Sequence, residues 1–450
     1  MKKILSIALV ALLAASTVFA GLSGKATLSL GYNTESGSYG FSNGKEFGVD
    51  FDLASETVES VAEGEVFAGV KATLSLKATD IMGANGAAFV KDGAADVGLG
   101  FILSLKEAYV AGQDWKVSIT GTQNGPDFAK SAIDYVFDAY GKDAFGNQPE
   151  AWWNKNYKQK SYAVSVNKSP GVTASYKNWK IAVGFNGGKA SSTTGAPDFF
   201  NYHVSAITPA IAVAEGLTVK AGAVASGIKN ATKTVGDNKV YDATKNFDAF
   251  GASAQVAYAA DAFSADVAAD FGMKKVVGTD DFKPGFDVAA NVAFAPVTVD
   301  AYFSRVNEKN YLSAQVAAEY EGISGDVYAQ NILAEDICLG ADAEYATDAI
   351  TVGAGFWMTT ESKKMEVSGK VEYAAEKFTA KAGATFGTQI DVEDSSYLRL
   401  NASVESSVII PGATLSLAYG PNTNGATGEK TTNLLDEKYG SVTAKCTIAF

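Results

Sequence analysis

The side chains able to make and break bonds are few in this chain of 450 residues, which holds one histidine and two cysteines. His203 stands between Asn201 and Ser205 on a polar phase. A His-based triad would have to use it, and no Gly-x-Ser-x-Gly nucleophile turn accompanies it. One histidine and two distant cysteines do not make the ligand set of a zinc site. The alternation around them puts Cys338 on the polar phase and Cys446 on the apolar phase, on opposite faces of a wall, which argues against a disulfide. The run Gly184-Phe185-Asn186-Gly187-Gly188-Lys189 superficially suggests a phosphate loop, but its spacing is wrong and Ala190 stands where a Ser or Thr is required. It reads as a hairpin turn. The expectation is a protein without catalytic residues, metal or cofactor.

What remains is charge, set on alternating segments. Between Val66 and Gly222 the charges on the polar phase are nearly all lysine: Lys71, Lys77, Lys106, Lys116, Lys177, Lys180 and Lys220. Between Phe263 and Tyr345 they are acidic: Asp266, Asp270, Asp287, Asp300, Glu319, Asp326, Asp342 and Glu344. If these stretches form opposite halves of one wall, a transverse field crosses the space between them. Such a lining orients polar solutes and ranks ions without a tight site. The plainer alternative is solvated charge that happens to cluster. Asp237, Asp242, Asp280, Asp281, Asp391, Glu393 and Asp394 fall in loop-like stretches, where they are solvated or gather divalent cations. The formal charge of −13 excludes a nucleic-acid partner, which asks for a basic face.

The elements that would position these charges show period-two alternation over segments of about ten residues, the length a tilted strand needs to cross a bilayer. Ala26, Leu28, Leu30 and Tyr32 share one face against Lys25, Thr27 and Ser29. Val66, Ala68, Val70, Ala72, Leu74 and Leu76 oppose Lys71, Thr73, Ser75 and Lys77, and Met365, Val367, Gly369, Val371 and Tyr373 oppose Glu366, Ser368, Lys370 and Glu372. Several hairpins repeat one design, an aromatic residue, a short acidic turn and an apolar restart, at Tyr258 to Phe263, Tyr345 to Ile350 and Tyr373 to Phe378. Amphipathic rings at such places suit a headgroup girdle. The expected fold is all-β: a transmembrane antiparallel up-and-down β-barrel of roughly 20 strands, in the range of about 16 to 24 and even in number. A barrel that wide cannot fill its interior with side chains and holds water or a plug.

At the amino terminus Lys2 and Lys3 precede an apolar run from Ile4 to Ala15, and small residues follow to Ala20. This reads as a secretory signal over residues 1–20, too short in its apolar core for a membrane helix. No linker interrupts residues 21–450, so they read as one domain. A mean hydropathy of +0.02 suits a barrel whose two faces cancel, and a soluble or surface-layer β protein also fits it. In the last segment Val442, Ala444, Cys446, Ile448 and Phe450 share one phase against Thr443, Lys445 and Thr447. A final strand ending on Phe450 resembles the signal by which outer-membrane barrels are recognised for assembly. That resemblance implies the bacterial outer membrane, its lipids and its assembly machinery as surroundings.

The stretch Glu107-Ala108-Tyr109-Val110-Ala111-Gly112, followed by Lys116-Val117-Ser118-Ile119-Thr120-Gly121-Thr122-Gln123, resembles the strand, turn and strand before the constriction loop of the general bacterial porins. Thr122 stands where that family has arginine. The same stretch also resembles the major surface porins of spirochaetes. The resemblance implies that residues 124–160 form a constriction loop, and that small hydrophilic solutes and ions pass by diffusion. It leaves a homotrimer and a monomer both open. Read from its own residues, the loop offers Asp127 as a helix cap, with Phe128, Ala132, Ile133, Val136, Phe137 and Tyr140 at near-helical spacing and Trp152, Trp153 and Tyr157 beyond. Its apolar face packs either inside the barrel or as a cap over the mouth. An adhesin or structural barrel with a filled lumen is the alternative to a diffusion channel.

Overall fold

The computed structural model describes residues 23–34, 37, 39–40, 48–54, 63–79, 98–119, 125–130, 171–188, 199–229, 232–235, 238–241, 247–276, 282–306, 308–422 and 432–449. Nearly all of them lie in one 24-stranded sheet whose pairings are antiparallel. The ring closes on itself: Ser23–Asn33 pairs with Ser441–Ala449 on one side and with Tyr39–Gly40 and Gly48–Ala54 on the other. Two of the 24 strands are continuations. Tyr39–Gly40 shares its flank of the first strand with Gly48–Ala54, and Ile211–Ala214 prolongs Phe199–Ile207 along Leu217–Lys229. The wall therefore has twenty-two staves among the described residues, an even number inside the expected range.

The interruption between Ile207 and Ile211 has a local cause. Pro209 brings no N–H to the ladder, and the Thr208 hydroxyl bridges the gap by accepting the Ala221 N–H at 2.9 Å while the Thr208 N–H reaches the Ala221 carbonyl at 2.9 Å. A separate hairpin, Thr232–Val235 with Asn238–Tyr241, stands apart from the wall.

Most tight turns gather at one end of the barrel and most longer connections at the other. One end has tight turns, such as Asp261–Ala262 between Phe247–Ala260 and Phe263–Val276, and Glu321–Gly322 between Lys309–Tyr320 and Ile323–Gln330. In the Lys177–Asn178 and Glu321–Gly322 turns both central residues have positive φ, the conformation whose twist matches a two-residue hairpin. The aromatic design expected at these turns is present: the Tyr258 and Phe263 rings lie 6.2 Å apart and the Tyr373 and Phe378 rings 6.0 Å. The opposite end carries the longer connections, stitched by side chains. Asp336 accepts the backbone N–H groups of Glu361 and Ser362, and Asn433 accepts that of Leu398.

Burial along the strands is the reverse of a soluble protein's. Val183, Phe185, Val204, Val256, Val267, Val327, Val352 and Val404 are exposed, whereas His203, Ser226, Asp270, Asp287, Ser304, Thr359, Glu366 and Arg399 are buried. Only one face of a closed ring can be covered by the ring itself, so the buried polar phase points inward and the apolar phase outward. The row Ala26, Leu28, Leu30 and Tyr32 lies in register with Ile448, Cys446, Ala444 and Val442. A slip of a single residue would turn every polar side chain outward, which is why the alternation pins the register.

Two local readings are corrected. Gly184 to Gly188 is not a hairpin turn but the second half of the strand Trp179–Gly188, paired from Gly184↔His203 to Gly188↔Phe199; glycine adopts extended backbone as readily as a turn, and the neighbouring strand decides between them. Lys177 belongs to a turn rather than to the polar phase of a strand, with its ammonium 5.4 Å from the Tyr176 ring centroid. The signal segment 1–20 and Phe450 lie outside the described residues.

Candidate functional site: the inward face

The register builds the inward face as circumferential rows. One row runs Gly222, Ser253, Asp270, Asp287 and Ser304 across five neighbouring strands. Two residues further along, Lys220, Gln255, Ala268, Ala289, Tyr302 and Ser313 form the next. The third runs Asp266, Asn291, Asp300, Gln315, Tyr328, Gly340, Trp357 and Glu366. Polar members satisfy one another across strands: the Asn291 amide donates to Asp300 at 2.6 Å and the Gln255 amide to Asp266 at 2.7 Å. Such pairing is what a buried carboxylate requires.

Glycines in these rows make room for rings. A Cβ on Gly340 would lie 2.1 Å from Tyr328 Cζ, one on Gly387 2.2 Å from Tyr397 Cζ, and one on Gly69 2.3 Å from Tyr109 Cζ. Tyr328 and Tyr397 lie directly opposite their glycines in register. Each ring therefore lies flat on the neighbouring strand.

Across this wall lies a segment of the long loop, Gly125 to Lys130, which belongs to no helix or strand. The Phe128 and Ala129 N–H groups donate to the two carboxylate oxygens of Asp270, at 3.2 and 2.9 Å, and the Ser253 hydroxyl donates to the Pro126 carbonyl at 3.2 Å. The Lys220 ammonium sits 4.3 Å from the centroid of the Phe128 ring. Gly125 lies against Val224, and Pro126 packs over Gly222, where a Cβ would approach to 2.5 Å. Ala129 joins a buried cluster with Ala268, Ala289, Tyr302, Tyr328, Cys338 and Trp357, with Phe128 against it. The Asp127 Oδ1 is buried without a hydrogen-bond partner, and burial first, then the Asp270 charge, hold the Asp127 carboxyl above the ordinary carboxylate range against the pull of Lys130. Asp127 caps no helix here, because residues 128–130 are not helical; of the N–H groups a cap would accept, that of Ala129 goes to Asp270 and that of Lys130 to the Phe128 carbonyl. Gly125 to Lys130 thus pack against the inward face of the wall. The helical spacing from Ala132 to Tyr140, with the rest of residues 131–160, lies outside the described residues.

Elsewhere on the inward face Glu366 accepts the Trp357 indole N–H at 3.3 Å and the Tyr397 hydroxyl. The Arg399 guanidinium lies 4.0 Å from the Tyr397 ring centroid and its Nε donates to the Thr432 carbonyl. Ion pairs join Lys370 to Glu344 and Lys381 to Glu372. Lys116 pairs with Glu107 at 2.5 Å and lies over the Tyr109 ring. His203 is buried beside Ser205, with Nε2 3.1 Å from the hydroxyl.

The sequence-derived charges fall as follows. Asp266, Asp270, Asp287, Asp300, Asp326, Asp342 and Glu344 occupy inward positions, with Asp270 and Asp287 fully buried, while Glu319 is exposed near a tight turn. Lys116 and Lys220 are inward and partly buried, and Lys180 is exposed at a strand end. For Lys71, Lys77 and Lys106 the backbone alone is described. Lys71 pairs with Glu107 while Ala72 pairs with Leu105, so Lys106 is the extra residue of a bulge, which is how two successive charged residues are accommodated. The lysine-bearing strands and the acidic strands occupy two arcs of the ring. They are arcs that adjoin at the single strand Phe247–Ala260, while their far strands face each other across the ring, Phe67–Thr79 opposite Lys309–Tyr320 and Trp115–Ser118 opposite Cys338–Ala346. The two cysteines are free, Cys338 buried on the inward face and Cys446 in register with Leu28 and Leu415 on the other.

Sequence reasoning missed Glu366, Trp357, Tyr397 and Arg399 as a group and the docking of the loop on Asp270. The first was legible as phase but not as partnership, since only register brings separate strands together. The second left no signal beyond Asp127 itself.

No protein-family description matches this chain, and no curated protein does. Among solved structures, a variant of the Rh. blastica porin is similar over 60% of this chain and 100% of its own, at 10% identity and a TM-score of 0.31. The siderophore receptor PirA of Pseudomonas aeruginosa is similar over 96% of this chain and 81% of its own, at 9% identity and a TM-score of 0.46. A copper transporter, OprC, covers 96% and 83% at 11% identity and a TM-score of 0.43. All three scores are below 0.5, and the barrel stands on the strand register above.

Proposed function

We propose that this chain is an outer-membrane barrel, exported by its amino-terminal signal and assembled through its last strand, whose interior passes small hydrophilic solutes and ions by diffusion. The observation that carries the proposal is the inverted polarity of a closed wall: apolar side chains out, polar ones in. A lipid interior is the solvent in which that distribution is stable, and a closed barrel leaves no strand edge unpaired there. Twenty-two staves enclose more space than side chains alone occupy. Charges on the inner wall rank the ions that enter, and no catalytic step or cofactor is invoked.

A second reading, a structural or adhesive barrel with a filled lumen, is favoured by one observation. Ala268, Asp270, Asp287, Ser304 and Thr359 have no solvent exposure although they face inward. Purified folded protein in a planar bilayer separates the two. Stepwise conductance is expected for the channel, with reversal of Lys116 to Glu shifting the reversal potential toward cation preference. Folded protein that inserts and shows no conductance refutes the channel and leaves the filled barrel.

A further inference from the structure

Charge is nearly absent from the outward phase of the wall, and where it occurs it is gathered in one place. Among the described strand residues, and apart from the bulge at Lys106, that phase carries four charged side chains: Lys229, Asp248, Lys275 and Arg305. All four lie on the arc from Leu217–Lys229 to Val297–Val306, at the strand ends away from the tight turns Glu215–Gly216, Asp261–Ala262 and Ala295–Pro296. On the arc from Ile350–Thr359 to Tyr397–Ile410 the corresponding ends present Met358, Met365, Thr388 and Leu398. A charge on a lipid-facing strand is costly at the midplane and tolerated near the interface, so the four charges mark a headgroup level on one side of the ring.

We propose that this arc docks phosphate groups of anionic membrane lipids on the outer surface of the barrel, with Arg305 and Lys275 as the principal cations. The dock rests on the wall standing in a bilayer and is independent of whether the lumen conducts.

Tyr202, Gly227, Asp248 and Lys275 form one outward row. Gly227 leaves room there for its neighbours to meet: a Cβ on it would lie 2.5 Å from Tyr202 Cε1 and 2.6 Å from Asp248 Oδ1. The Tyr202 hydroxyl donates to Asp248 at 3.2 Å, and Asp248 stands directly opposite Lys275. Arg305 stands in register between Phe286 and Asn310, neither of which is charged, and a guanidinium fork matches phosphate oxygens two at a time. Three cations against one carboxylate leave two net positive charges on this face, while Glu308 and Lys309 beyond Arg305 offset one another. Lys275 and Arg305 lie two strands and four residues apart, about 10 Å across and about 13 Å along the sheet, which places them over separate phosphates.

Rings beside the cations decide between a lipid and a soluble anion. Phe200 stacks on Tyr202 at 6.0 Å, and the pairs Phe250–Phe282 and Phe286–Phe303 lie 5.5 and 5.4 Å apart. Phe200, Phe250 and Phe271 are exposed on the same phase. Such rings suit the boundary between headgroups and acyl chains. A free phosphate gains only the charges here, whereas a lipid gains the charges and the ring contacts together.

The test reads lipid identity at the site. Phe303→Trp puts a fluorescent reporter on the outward phase two residues from Arg305, and Val371→Trp puts one at an exposed outward position on the other arc. Folded protein is placed in phosphatidylcholine vesicles holding a minor fraction of brominated phosphatidylglycerol or brominated phosphatidylcholine, and the signal of protein without a reporter is subtracted. Brominated phosphatidylglycerol is expected to quench the Phe303→Trp reporter more effectively, on the order of fivefold per net charge at low salt, and the two lipids to quench the Val371→Trp reporter alike. Arg305→Gln with Lys275→Gln should bring the lipids to parity at Phe303→Trp. Asp248→Asn, which leaves both cations in place, should widen the preference, and an unchanged preference there overturns the dock even if the double variant does not fold. Equal quenching by the two lipids at Phe303→Trp also overturns it, as does a preference that survives the double variant or is abolished by inorganic phosphate at constant ionic strength. Folded protein in which neither reporter is quenched by either lipid refutes the membrane reading itself.

Discussion

Gly340→Ala isolates the packing that holds the inner wall together. Its added Cβ would lie 2.1 Å from Cζ and 2.2 Å from the hydroxyl oxygen of Tyr328, whereas carbon atoms rest at about 3.5 to 4.0 Å. The ring, buried and part of the cluster that also holds Tyr302 and Trp357, must move by more than about 1 Å to restore that spacing, and it has covalently fixed neighbours on its own strand. Overpacking of this kind costs about 1–3 kcal/mol. Gly369→Ala is the matched control on a nearby strand, because its Cβ would meet nothing closer than the Gly353 carbonyl oxygen at 3.8 Å. There the loss of backbone freedom in the unfolded chain makes alanine neutral or stabilising by up to about 1 kcal/mol. The assay is reversible urea unfolding in lipid vesicles, read as the fraction that migrates as the folded species on an unheated gel. The midpoint for Gly340→Ala should fall clearly below that for Gly369→Ala, and Tyr328→Ala combined with Gly340→Ala should show a favourable coupling relative to the two single changes. Equal midpoints for the two glycine variants would refute the claim that the ring rests on Gly340.

Glu366→Gln should destabilise the folded barrel by about 1–3 kcal/mol in the same assay, because a neutral amide accepts more weakly than the carboxylate now shared by the Trp357 and Tyr397 donors; an unchanged midpoint would show that these donors find water. At the loop end, the hydrogen bond and charge of Asp391 hold the exposed Lys363 ammonium above its ordinary range. That pairing is complete below the ordinary lysine range and is lost as pH rises through the raised value, so Asp391→Asn should lower the Lys363 titration seen by NMR without a measurable change in stability. Cys338 should resist a thiol reagent in the folded barrel and react after unfolding, and the chain should run identically with and without reductant, since the two thiols face opposite sides; a reductant-sensitive monomer band would contradict the register of the last strand.

Much of the wall was legible in the residues because a strand's two faces are set by a period of two, and a wrong phase would bury lysine in lipid or expose valine to the interior. Val66 to Val70 and Met365 to Tyr373 kept the faces their alternation assigned. The turns were legible for the same local reason, as at Tyr258 to Phe263, where an acidic turn and flanking rings act within a few residues of one another. Gly184 to Gly188 was misread because glycine permits a turn without requiring one, and only pairing with Phe199–Ile207 shows that the chain continues straight.

Neighbourhood between distant strands has no such local code. That the lysine and acidic stretches adjoin at Phe247–Ala260 at one side of the ring shows only in the register, and Lys106 read as an ordinary inward charge until the bulge opposite Lys71 and Ala72 set it apart. Residue order alone carries the alternation, its approximate number of repeats and the polar face, because side-chain direction along a strand is a local property. Which inward residues meet is a property of the closed sheet. Trp357, Glu366 and Tyr397 are brought together by register across separate strands, and Asp270 is reached by a loop residue 141 positions away from it in the chain.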